Sequence, residues 1–122
     1  MKKSVFFVDD SKIPLASLRD ALGDGVDINY VNNPITAMLR VPKVNPDFIL
    51  LDYNLSIGTS ERLIQSLLKQ GRKPKGMAVI TGSSDISDVK KSINKISTEI
   101  QVIPKDRHGM LKVRRLVEAA TR

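Results

Sequence analysis

The chain has 122 residues, enough for one domain with a closed hydrophobic core and too few for two domains of ordinary size. Its net charge is +7 and it has no cysteine, which excludes disulfides, thiolate metal ligands and cysteine nucleophiles. No apolar run reaches membrane-spanning length, and the run after the two N-terminal lysines is too short for a signal peptide. We therefore expect one cytoplasmic domain, residues 1–122, without a membrane partner.

Strand and helix patterns alternate in the first half of the chain. Residues 3–8 form an apolar, β-branched run typical of a strand, and residues 13–22 carry apolar side chains at helical spacing. Residues 26–31 predict a second strand, and residues 37–41 predict a short second helix after an Asn-Pro turn. Residues 47–51 are an unbroken apolar run, which indicates a strand buried on both faces, as in a parallel sheet.

The same alternation continues to the end. Helices are predicted around residues 63–68, 89–96 and 110–120, and strands over residues 77–81 and 100–104. Strands that alternate with helices predict an α/β fold with helices on both faces of a parallel sheet, because right-handed crossovers place them there. We expect a doubly wound five-stranded parallel sheet of order 2-1-3-4-5 with five helices.

Polar residues stand where four of the predicted strands end. Asp9 and Asp10 follow the first strand, Asp52 the third and Lys105 the fifth, while Thr81 closes the fourth. In the expected order the first and third strands are neighbours, so three carboxylates converge beyond their carboxyl ends. Such a cluster repels itself unless a cation joins it, and an all-oxygen ligand set favours Mg²⁺. The lack of cysteine and the single histidine argue against zinc.

In their order and spacing these residues resemble the receiver domains of two-component response regulators, and the resemblance covers the whole chain. Asp9 and Asp10 match the acidic metal-binding pair, and Asp52 follows an apolar strand as the family's phosphoacceptor does. Thr81 opens the fourth βα loop and Lys105 closes the fifth strand, as in that family. The resemblance implies the flavodoxin-like receiver fold and a role in a phosphorelay.

The mechanism implied is Mg²⁺-dependent transfer of a phosphoryl group from a sensor histidine kinase or phosphotransfer protein to Asp52. Lys105 would place its positive charge on the phosphoryl oxygens. Thr81 would bond the new group and shift the fourth βα loop, together with the face of helix 4, strand 5 and helix 5. By the same resemblance, the metal ligands are the carboxylates of Asp9, Asp10 and Asp52 and the backbone carbonyl of Asn54.

The chain departs from the family pattern at three places. The family usually has a proline after its lysine, in a cis peptide bond, whereas here Pro104 precedes Lys105 and Asp106 follows it. A cis bond without proline is unfavourable by about 2.5–4 kcal/mol, so the loop is expected to be trans or strained. Val102 stands where the family often has an aromatic residue, and the loop 55–60 lacks the usual proline.

These departures favour a second interpretation, a phosphorylation-independent receiver that acts as a protein interaction module. Two other classes fit less well. A flavodoxin would need hydroxyl and N–H groups for its phosphate where Asp9 and Asp10 stand, and a haloacid-dehalogenase-type phosphatase would need an aspartate where Asn54 stands. We therefore expect no enzymatic turnover on external substrates.

The positive charge can be used in two ways. Aromatic residues make up 4% of the chain and none interleaves the cations of the last two helices, which argues against direct nucleic-acid binding. The alternative is an acidic protein partner docked on the face of helix 4, strand 5 and helix 5. The sequence is also compatible with a homodimer. The cations concerned are Lys90, Lys91, Lys95, Lys112, Arg114 and Arg115.

Overall fold

A computed structural model describes residues 3–9, 13–55, 60–82 and 86–120. The strands are β1 (Lys3–Val8), β2 (Val26–Val31), β3 (Phe48–Asp52), β4 (Met77–Thr81) and β5 (Gln101–Pro104). The α-helices are α1 (Ile13–Leu22), α2 (Pro34–Val44), α3 (Ser60–Lys69), α4 (Ile86–Asn94) and α5 (Arg107–Ala120), and a 3-10 turn spans Pro74–Gly76. Within these described ranges, no helix is both long enough and apolar enough to cross a bilayer.

The five strands form one parallel sheet in the order β2-β1-β3-β4-β5, so the predicted fold is confirmed. The sheet separates two apolar cores. One core contains buried side chains from α2, α3 and α4, and the other contains side chains from α1 and α5. Helices therefore cover both faces of the sheet, as right-handed crossovers require.

Strand β3 is the centre of the sheet, and all five of its residues are buried. Ile49 and Leu51 pack into one core, while Phe48 and Leu50 pack into the other. This explains the unbroken apolar run in the sequence, because a strand covered on both faces has no polar side. Asp52 is the last residue of this strand and lies at the carboxyl end of the sheet.

Helix α5 begins at Arg107, three residues before the apolar periodicity predicted. Asp106 caps it, because its Oδ1 accepts the N–H of Gly109 at 2.7 Å and its carbonyl accepts the N–H of Met110 at 3.0 Å. Gly109 is buried against the end of β5, where a Cβ atom would lie 1.8 Å from the carbonyl oxygen of Pro104. The absence of a side chain at Gly109 thus lets α5 start directly on the sheet.

Helix α2 is longer than predicted, starts at an Asn33 cap and contains a proline. Pro42 has no N–H, so the carbonyl of Met38 one turn earlier loses its helical donor. The side-chain amide of Gln70 donates to that carbonyl at 3.2 Å instead. Leu39, placed by the sequence pattern among the apolar residues of this helix, is 68% exposed.

Candidate functional site

Asp9 and Asp52 leave the sheet side by side. Strands β1 and β3 are parallel neighbours with Val8 opposite Leu51, so the next residue of each strand emerges at the same level. Both residues are almost completely buried, with 0% and 2% of their surface exposed. Two carboxylates held out of water at one point repel each other and require a nearby positive charge.

Lys105 supplies that charge. Its Nζ lies 3.2 Å from Oδ2 of Asp9 and 3.2 Å from Oδ1 of Asp52, and its side chain is only 22% exposed. Burial lowers the pKa of Lys105, but the attraction of the neighbouring Asp52 and Asp9 carboxylates raises it by more. The pKa of Lys105 therefore lies above its usual 10.5, and the ammonium is charged at neutral pH.

The backbone around Lys105 ties the end of β5 to the end of β4. The N–H of Lys105 donates to the carbonyl of Thr81 at 2.9 Å, and its side chain passes over Gly82. The peptide bond between Lys105 and Asp106 is trans, as is every peptide bond in the described part of the chain. The Lys105–Asp106 bond is trans as expected for a bond that no proline follows. Pro104 itself is tolerated because it lies on the edge strand, where it need not donate to a ladder.

Thr81 is the last residue of β4 and is 1% exposed. The register places Ile80 opposite Asp52 and Thr81 opposite Pro104, so Thr81 stands between the phosphoacceptor candidate and the lysine-bearing loop. The loop that follows, at residues 83–85, lies outside the described part of the chain.

Ser60 is a site residue that the sequence analysis missed. Its hydroxyl is fully buried, and the oxygen lies 2.6 Å from the carbonyl oxygen of Asp52 and 2.7 Å from that of Tyr53, so the two carbonyls share its single proton. A serine at the first position of a helix predicts a cap for its own helix. Here it fastens the end of β3 to the start of α3, and only the three-dimensional contact reveals that role.

Tyr30 was also missed. It lies on β2, next to β1, and its hydroxyl donates to the carbonyl oxygen of Asp9 at 2.7 Å. Its ring contacts the ring of Phe7, with centroids 5.7 Å apart. Both carboxylate residues at the site therefore have their backbone carbonyls held by a hydroxyl from another element.

The remaining predicted site residues are placed as follows. Asn54 is exposed just beyond β3, and its N–H donates to Oδ1 of Asp52 at 3.2 Å. Asp10 lies outside the described residues, and among those described no group of three potential metal ligands occurs. Val102 is buried in the core shared with α4, in the place where the resemblance leads us to expect an aromatic ring.

The residues that are described suit a hard divalent cation. The carboxylates of Asp9 and Asp52 offer oxygen atoms, and both already face one positive charge, the ammonium of Lys105. Carboxylate oxygens are the ligands that Mg²⁺ prefers in proteins, where it usually takes one or two of them together with water or phosphate oxygens.

No protein-family model matches the sequence, and no curated protein is similar to it in sequence. Solved structures of receiver domains are similar in fold. The signal receiver domain of an HD domain-containing protein from Pseudomonas fluorescens Pf-5 superimposes with a TM-score of 0.77 at 19% identity, over 99% of this chain and 98% of that one.

Two other solved structures show the same likeness. The receiver domain of a modulated diguanylate cyclase from Desulfovibrio desulfuricans G20 gives a TM-score of 0.76 at 22% identity, over 98% of this chain and 94% of that one. The N-terminal domain of a response regulator/sensory box/GGDEF protein from Carboxydothermus hydrogenoformans gives a TM-score of 0.76 at 21% identity, over 97% of this chain and 93% of that one. The chain therefore has the fold of the receiver domains of response regulators.

Proposed function

We propose that the chain is a phosphoacceptor receiver domain that takes a phosphoryl group on Asp52 from a sensor histidine kinase or phosphotransfer protein. The observation that carries the proposal is the position of the Lys105 ammonium, 3.2 Å from both Asp9 and Asp52. A buried cluster of this kind has no evident use in the core and stands at the sheet edge where α/β proteins bind ligands.

The chemical step uses one carboxylate oxygen of Asp52 as the nucleophile. That oxygen forms a bond to phosphorus while the bond from phosphorus to the donor's imidazole nitrogen breaks and its electron pair stays on the nitrogen. Oδ1 of Asp52 is held by Lys105 and by the N–H of Asn54, whereas Oδ2 has no such contact with the described residues. This favours Oδ2 as the attacking atom.

The metal ligands in this proposal are the carboxylates of Asp9, Asp10 and Asp52 and the backbone carbonyl of Asn54. Bound Mg²⁺ would offset the negative charge of the carboxylates and of the incoming phosphoryl group. The ammonium of Lys105 would stay beside Asp9 and Asp52 and would offset the negative charge of the phosphoryl oxygens. Ser60, which holds the carbonyls of Asp52 and Tyr53, would keep the nucleophile's strand fixed during transfer.

Signal output would begin at Thr81. A hydroxyl at the end of β4 can bond the new phosphoryl oxygens, and its movement would shift the fourth βα loop and the face made by α4, β5 and α5. The link to Lys105 supports this, because the carbonyl of Thr81 already accepts the N–H of that residue.

A groove beside the site supports the donor's approach. It has a volume of about 720 Å³, lies between α1 and the start of α5, and includes Lys105 and Asp106 in its wall. Apolar side chains of Ala21, Met110 and Leu111 line it as well. A helix carrying the phosphohistidine could rest there with its imidazole directed at Asp52.

The downstream partner is expected to be acidic. The exposed cations of α4 and α5 exceed the acidic residues there, although Arg114 forms an ion pair with Glu118 at 3.1 Å and is partly neutralised. All five aromatic residues of the chain are described and none is exposed, so there is no platform for stacking on bases. A protein partner at this face fits better than nucleic acid.

The test is exposure of the purified chain to acetyl phosphate with Mg²⁺, followed by intact mass spectrometry. The wild type should gain one phosphoryl group, and Asp52→Asn should gain none. Asp47→Asn is the matched control, because Asp47 is an exposed carboxylate that precedes β3 at its opposite end. A wild-type chain that stays unmodified while correctly folded would refute the proposal.

A second candidate function is a receiver that binds its partner without phosphorylation. Val102 favours it, because a small buried side chain replaces the aromatic ring that the family often uses to transmit activation. For this candidate, partner binding should be the same with wild type and Asp52→Asn. The phosphodonor experiment separates the two functions.

A further inference from the structure

Helix α2 has an apolar stripe on its solvent side. Ile35 is 55% exposed, Leu39 is 68% exposed, and Pro42 is exposed as well. Because they are four and three residues apart, the three side chains lie along one face over two helical turns. We call them the α2 stripe. Leu111 on α5 is also exposed, at 46%, and it is the other large apolar side chain found exposed among those side chains that the structure describes.

The α2 stripe cannot turn into the protein. Ala37 and Val41, on the other side of the helix, are fully buried in the core. The bond from Gln70 to the Met38 carbonyl fastens α2 to the end of α3 at the turn where Pro42 interrupts the helical ladder. Rotation of α2 would therefore break both core packing and this bond, so the stripe stays open to solvent.

The charges beside the stripe are of one sign. Helix α2 contains no acidic residue, and its two charged residues, Arg40 and Lys43, are exposed. Neither forms a salt bridge with any residue that the structure describes. A surface with apolar anchors and free positive charge attracts a partner that has apolar residues among carboxylates.

We propose that the α2 stripe is the docking site for an acidic amphipathic helix of a partner protein. Anchors at positions i, i+4 and i+7 match the two-turn stripe that a helix presents when it binds a partner surface. A second copy of this chain would bring Arg40 and Lys43 against the same residues, which repels. Insertion into a lipid surface would bury too little apolar area for stable binding, since the stripe has only two large apolar side chains. The proposal does not depend on phosphorylation of Asp52.

The test uses a labelled synthetic peptide about 15 residues long, near the shortest helix that is stable in water, with leucines at helical spacing and glutamates between them. Fluorescence anisotropy with the full chain should show saturable binding that weakens as salt rises. Leu39→Glu should weaken it by about tenfold or more, as expected for a central anchor. Gln65→Glu, which adds the same negative charge at an exposed position of α3, should leave it within about twofold.

Three results would overturn the proposal. The first is absent or non-saturable peptide binding, or binding that Leu39→Glu and the double change Arg40→Glu, Lys43→Glu leave intact. The second is co-sedimentation with phosphatidylserine vesicles that is lost in Leu39→Glu while the peptide fails to bind, which would assign the stripe to a membrane surface. The third is a dimer in sedimentation equilibrium that Leu39→Glu dissociates, which would assign it to a second copy.

Discussion

The ammonium of Lys105 lies 3.2 Å from Oδ1 of Asp52, although the strands that end at these residues are separated in the sheet by β4. The lysine side chain reaches across the end of β4, over Gly82, to make this contact. One side chain thus connects β5, β3 and, through Asp9, β1. The electrostatic balance of the site depends on it.

Replacement of Lys105 with methionine should destabilise the chain in the absence of Mg²⁺. Methionine keeps much of the apolar stem but leaves Asp9 and Asp52 buried beside each other without a cation. We expect a loss of about 3–5 kcal/mol in the free energy of unfolding, the usual effect of removing one partner from a buried ion pair. Urea denaturation of both proteins in EDTA measures it, and an equal midpoint would contradict the ion pair.

The difference in folding stability between wild type and Lys105→Met should depend on pH in a direction that the pKa of Lys105 defines. The pKa of Lys105 is raised in the folded chain, so its contribution to stability is complete below the unfolded value near 10.5. It is lost as the pH rises through the higher folded value. The difference in stability between wild type and Lys105→Met should therefore be constant near neutral pH and should shrink above 10.5. A difference that already falls between pH 7 and 9 would argue against this assignment.

Mg²⁺ should raise the thermal stability of the wild type. A ligand that binds only the folded state at a hundred times its Kd stabilises by about 2.7 kcal/mol. Asp9→Asn should abolish the increase, because it removes one of the two described carboxylates at the site. Asp24→Asn, in an exposed turn between α1 and β2, is the control and should keep it. A melting temperature that Mg²⁺ leaves unchanged in the wild type would mean that no ion binds.

Ser60→Ala should lower both stability and phosphoryl uptake. It leaves the carbonyls of Asp52 and Tyr53 without their hydroxyl donor in a buried place, which is expected to destabilise by about 1–3 kcal/mol. If Ser60 also positions Asp52, the rate of modification by acetyl phosphate should fall at a temperature where the variant is fully folded. Ser66→Ala, at a half-buried serine of the same helix, is the control. An unchanged rate would limit Ser60 to a structural role.

Gly109→Ala should be strongly destabilising. The new Cβ would lie 1.8 Å from the carbonyl oxygen of Pro104 and 2.9 Å from a side-chain carbon of Ile103, so α5 would have to move away from β5. Overpacking of this kind usually destabilises by about 1–3 kcal/mol or more. Gly25→Ala is the control, since nothing lies within 4 Å of its added Cβ. Thermal melting compares the two, and similar melting temperatures would refute the close contact.

The sheet could be predicted because its signals are local. The apolar run of β3 and the strand-end positions of Asp9 and Asp52 depend only on period and order, so topology brings these carboxylates together. The contacts of Ser60 and Tyr30 could not be predicted, because each hydroxyl bonds a carbonyl distant in sequence. The start of α5 was placed too late because a polar cap, Asp106, marks it and apolar periodicity does not.

The cap at Asp106 has a mechanical consequence. Lys105 contacts the carboxylates of the site, and the very next residue holds the first turn of α5, so no flexible linker separates them. A displacement of the Lys105 backbone toward a new anion would therefore also move the first turn of α5, which packs on Pro104 through Gly109. This coupling would not require an aromatic side chain at position 102.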